Sequence, residues 1–68
     1  MVEIFDTNIQ GAHEASMVLW QLQEHFPEVD AHVDLYDHCN TLRIVGKVDT
    51  IQVESCVRKL GFEIILVE

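Results

Sequence analysis

The chain has 68 residues, about half of them apolar and a quarter charged, and twelve acidic side chains against four basic ones give it a formal charge of −8. That length holds one domain, residues 1–68, and buries only about 60% of the surface its unfolded form exposes, which excludes a large enclosed active site. Nucleic acid and anionic membrane surfaces are excluded as partners, because counterion release needs clustered Lys and Arg, and Arg43, Lys47, Arg58 and Lys59 are the whole supply.

Val2, Ile4 and Phe5 predict a short strand over Val2 to Thr7. From Ala12 to Phe26 the apolar positions Ala15, Val18, Leu19, Leu22 and Phe26 recur at spacings of three and four, one face of a helix, and Pro27 ends it. Val29, Ala31, Val33 and Leu35 then alternate with Asp30, His32 and Asp34, the period of a strand with one buried and one wet face. Tyr36 to Asn40 is a polar turn, and Leu42 and Ile44 around Arg43 form the second arm of a hairpin. Asp49, with Gln52 three residues on, predicts a capping box opening a helix with Val53, Cys56, Val57 and Leu60 on its apolar side. Arg58 and Lys59 suit the last turn of that helix, and Gly61 its close. Phe62 to Val67 is a last apolar strand.

The order β-α-β-β-α-β is the split βαβ arrangement of an α+β, ferredoxin-like fold, a four-stranded antiparallel sheet with both helices on one face. This topology puts the first β-to-α junction, the hairpin turn and the Leu60-Gly61-Phe62 junction at one end of the domain. His13, His38 and Cys39 are then expected to be neighbours.

No apolar run approaches the roughly 18 residues of a membrane span, and Met1-Val2-Glu3-Ile4 lacks the basic start of a secretory signal. A cytoplasmic protein with reduced cysteines is expected.

Several passages carry a family resemblance: the order of elements, "FPEVDAHVDL" after the first helix, "VDT" at the start of the second and "KLGFE" before the last strand. Together they resemble the heavy-metal-associated domain, found in copper chaperones and at the cytosolic end of metal-transporting P-type ATPases. The resemblance covers essentially the whole chain. It implies a metal-binding or metal-transfer role, with such an ATPase or another protein as partner. The family carries Met-x-Cys-x-x-Cys at the first β-to-α junction, where this chain has Gln10, Ala12 and Ala15 at the three key positions. Alanine offers no donor, so two-thiolate Cu(I) binding is not expected there.

Two readings of the replaced loop stay open. In one, a transition metal ion is still held, by His13, Glu14, His38 and Cys39 with Asp6 or Asp37 as an oxygen donor, a set that suits Zn(II) better than Cu(I); Met17 lies four residues from His13. In the other, these polar side chains are simply solvated. Cys56 sits at an apolar helical position and reads as a small core hydrophobe, and His25 and His32 read as surface residues.

At about 100° per residue, His13, Met17, Trp20 and Glu24 lie opposite Val18, Leu19 and Leu22. Met17 and Trp20 are therefore candidates for the centre of a partner-binding surface, unless Trp20 folds back over a loop or the sheet edge. The acidic field leaves a basic protein as a partner that complementary charge would bring in faster. No Ser/His/Asp order, close apolar carboxylate pair or Gly-rich phosphate loop is present, and no enzyme is expected.

Overall fold

The computed structural model describes residues 1–35 and 40–67. Six elements follow in chain order: β1 (Val2–Thr7), α1 (Gly11–His25), β2 (Asp30–Leu35), β3 (Asn40–Val45), α2 (Thr50–Lys59) and β4 (Ile64–Leu66). The strands form one sheet in the order β2-β3-β1-β4, with every neighbouring pair antiparallel. This is the expected ferredoxin-like fold.

Register decides which side chains the helices cover. Phe5 pairs with Leu42 and Leu66, and Val33 with Leu42, so these residues share one face of the sheet. Phe5, Leu42, Ile44 and Ile64 from the sheet pack with Ala15, Val18 and Leu22 of α1 and Val53 and Val57 of α2 in one core. Both helices therefore lie on the same side. Each fully buried aliphatic side chain contributes about 1.5–3 kcal/mol, most of it offset by the entropy of ordering the chain. The other face of the sheet is open and holds an Asp34–Arg43 ion pair at 3.6 Å between half-exposed side chains.

The helix ends follow their local chemistry. α1 stops at Phe26, whose N–H donates to the Leu22 carbonyl at 2.7 Å, because Pro27 has no N–H with which to continue. At the start of α2 the Asp49 carboxylate accepts the Ile51 N–H at 3.0 Å. Gln52 adds its backbone N–H to the Asp49 carbonyl at 3.1 Å, and among the described residues no side chain completes the expected capping box. α2 closes with a paired bond pattern: Gly61 N–H to Arg58 carbonyl at 2.9 Å and Phe62 N–H to Val57 carbonyl at 3.4 Å, with Gly61 at φ +97°. This left-handed closure is the geometry that glycine reaches without strain.

Three expectations change. The last strand is shorter than Phe62 to Val67, because the Phe62 amide is held by the helix closure and the Glu63 amide by Asn8. Leu35, expected on the buried face, is 39% exposed at the far end of an edge strand. Val29 is buried as expected but precedes β2 instead of opening it, and lies against Gly46.

Gly46 has φ +130°, and a Cβ there would meet Val29 Cγ1 at 2.9 Å. Gly46→Ala should therefore cost about 2–3 kcal/mol through backbone strain and overlap. Asp49→Ala should cost about 1 kcal/mol, the loss of one cap. Urea unfolding of the two variants tests this order.

Candidate functional site

The β1–α1 junction is built from Thr7 to Gly11. Ile9 lies at its centre and is fully buried, although its neighbours Asn8 and Gln10 are exposed. The Thr7 hydroxyl accepts the Ile9 N–H at 3.2 Å and donates to the Asn40 carbonyl at 2.9 Å. The Asn40 side-chain amide donates to the Ile9 carbonyl. Asn8 joins the other flank, accepting the Glu63 N–H on its side-chain oxygen at 2.7 Å and donating its own N–H to the Glu63 carbonyl at 3.3 Å. The chain then turns into α1 through Gly11 at φ +84°.

These bonds set the end of the domain as the topology predicts: the starts of β3 and β4 both meet the junction. His38 and Cys39, and Asp37 with them, lie outside the described residues. His13 is exposed in the first turn of α1. Glu14 is half-buried, and its Oε1 accepts the Gln10 N–H at 2.7 Å, so this carboxylate caps the helix start. Asp6 alternates onto the open face of the sheet, away from the helix layer that carries His13. Among the described residues no group of three or more His, Cys, Asp and Glu side chains is placed to hold a metal ion.

The two positions where the resembling family has thiolates differ in setting. Ala12 is exposed, whereas Ala15 is 8% exposed and part of the core. A methyl group packed against the core supplies no lone pair, and the residues present do not fit a two-thiolate Cu(I) site.

Comparison with protein-family models, curated proteins and solved structures gave no significant match. The reading of the site therefore rests on its own chemistry.

The outer side of α1 offers more. Met17 is 43% and Trp20 63% exposed, so Trp20 does not fold back into the core. With His13, Ser16, Gln21 and Leu60 they line an open groove of about 350 Å³. A second groove of about 380 Å³ shares Gln21 and Leu60 and continues between the helices past Phe26, Cys56 and His25. Cys56 is half-buried here, packed against the core as expected. Burial pushes its thiol up, against an opposing pull from Lys59, so it is a poor nucleophile. His25 and His32 are exposed.

Sequence reasoning assigned Ile9 no place, and it named Asn40 and Leu60 without their roles in the junction and the groove. Ile9 continues the i, i+2 rhythm of Phe5 and Thr7 past the end of β1, and that was the available signal for it. For the Asn40 bond to Ile9, 31 positions away, local pattern carries none.

Asn40→Ala should leave the Ile9 carbonyl unsatisfied in a half-buried setting and cost about 1–2 kcal/mol. Amide shifts confined to residues 7–11 and to the immediate surroundings of position 40 are the expected signature.

Proposed function

We propose that this domain is a protein-interaction module on a heavy-metal-associated-like scaffold, docking a basic protein surface through the outer face of α1. The observation that carries this is the exposed Met17–Trp20 pair flanking the groove floored by Leu60. An adaptable thioether beside a large aromatic is the composition of an interface centre, where a few anchors hold most of the binding energy. The net charge of −8 selects a basic rim on the partner and speeds its approach. The setting is cytoplasmic, where Cys56 stays a thiol.

A metal-transfer role is the competing proposal, with a Zn(II)-type site drawn from His13 and the hairpin residues His38 and Cys39 and a metal-transporting ATPase as partner. The position of His13 in the groove beside Met17, at the end of the domain where β3 begins, favours it. The Glu14 carboxylate, already used as a helix cap, and the absence of donors at Ala12 and Ala15 count against it.

Trp20→Ala separates the readings. Its affinity for a purified partner should fall about 30-fold or more, as for a central aromatic anchor, with the unfolding midpoint nearly unchanged. Binding of the unaltered domain should weaken with added salt. Loss of several kcal/mol of stability would make Trp20 a structural residue. Partner binding that needs Zn(II) and disappears in His13→Ala would transfer the role to a metal site.

A further inference from the structure

β4 is an edge strand, yet the run Ile64-Ile65-Leu66-Val67 is apolar at every position. A continuous apolar run is the pattern of a strand covered on both faces. Here the helices cover one: Ile64 is 2% exposed, whereas Ile65 is 67% and Val67 56% exposed. The other edge of the sheet is treated differently. β2 carries exposed Asp30 and His32, and its Asp34 pairs with Arg43, charges of the kind that keep an edge from pairing with another chain. β4 has no such residue, and its guard is Arg58, which donates to the Ile64 carbonyl at 3.0 Å.

The ladder fixes which backbone groups of β4 face outward. The Val67 N–H donates to the Ile4 carbonyl at 2.8 Å, and Glu63 exchanges bonds with Asn8. Residues 63 and 67 thus turn their polar groups toward β1. By alternation the N–H and C=O of Leu66 point away from the sheet.

We infer that β4 pairs antiparallel with β4 of a second copy of this chain, about a two-fold axis at Leu66, joining two four-stranded sheets into one. In that register Leu66 exchanges both backbone bonds with its counterpart. Ile65 lies opposite Val67 of the other copy on the open face, and the reverse pair forms on the other side of the axis. Aliphatic cross-strand pairs of this kind are favourable, and a segment with no charge between Glu63 and Glu68 matches itself under a two-fold, as an isologous contact requires. Stacking the two open faces instead would press Asp6, Asp30 and Asp34 of one copy toward those of the other, with Arg43 already paired with Asp34, at high desolvation cost.

Edge pairing of a three-residue strand covers less than the about 1,000 Å² that a stable specific interface needs, which is the size of a transient contact. The dimer is therefore weak, with a Kd of roughly 10–100 μM. Two copies of charge −8 also repel, so the dimer tightens as salt is added. The inference does not rest on the docking face of α1, which belongs to the helix layer.

The test is sedimentation equilibrium of the reduced chain from about 5 to 500 μM, at roughly 0.05 and 0.5 M salt. The mass should climb from 7.8 kDa toward twice that value, earlier at the higher salt. Ile65→Lys, at an exposed position outside the core, should remain monomeric. Hydrogen exchange on the unaltered chain gives a second reading that needs no variant: protection of the Leu66 amide should rise with concentration while that of Phe5 stays constant. A monomer at every concentration, a dimer that survives Ile65→Lys, or Leu66 exchange independent of concentration would each overturn the inference.

Discussion

Ile9 is the constraint on which this domain turns. It is an apolar side chain in a polar junction, buried completely, with its carbonyl taken by the Asn40 amide and its N–H by the Thr7 hydroxyl. Once Ile9 is held, the chain has one way into α1, through Gly11 in a left-handed conformation and a helix start capped by Glu14. The angle of α1 follows, and with it the side that meets Val53 and Val57 and the side that leaves Met17 and Trp20 in water. The same bonds lock the start of β3 to the end of β1, and those from Asn8 lock the start of β4. In a chain that buries so little, such polar ties replace part of what a larger core would supply.

That bracing bears on chemistry. A loop that carries a soft metal ion between proteins needs donors free to rearrange around it. Here the side chains of Thr7, Asn8, Glu14 and Asn40 are committed to hydrogen bonds of the fold, and Ala12 and Ala15 carry only methyl groups. Among the described residues, the side of α1 with Met17 and Trp20 is exposed next to this junction, and the proposed docking contact lies there. The β4 edge lies elsewhere on the molecule, so a dimer joined there would leave both α1 faces free. Two such faces on one particle raise the effective concentration of the second contact once the first has formed.

Much of the fold was legible because periodicity and register agree. The spacing of Ala15, Val18 and Leu22 gave α1, alternation around Arg43 gave β3, and Asp49 and Gly61 marked the two ends of α2 by cap chemistry that acts within a few residues. Helical angle put Trp20 on the outer side of α1 and left open whether it folds back; its exposure was decided by the geometry. What local pattern does not encode is where a backbone group goes when its partner is far along the chain. The shortening of β4 depends on Asn8 reaching Glu63 across 55 positions, and the burial of Ile9 on Asn40. The site was read less fully: that positions 12 and 15 are alanines with no donor was plain in the sequence, whereas the role of Glu14 as a cap emerged only with the geometry.

Whether this junction binds metal separates the interaction module from the metal carrier most directly. Titrating nitrogen-15-labelled, reduced protein with Zn(II) and then Cu(I), following each backbone amide, answers that. An interaction module should show no saturable shift at Gln10 to Ala15 at one equivalent of either ion. Saturable shifts there, accompanied by residues 38–40, would contradict the account and show the junction to be a working metal site with a new ligand set.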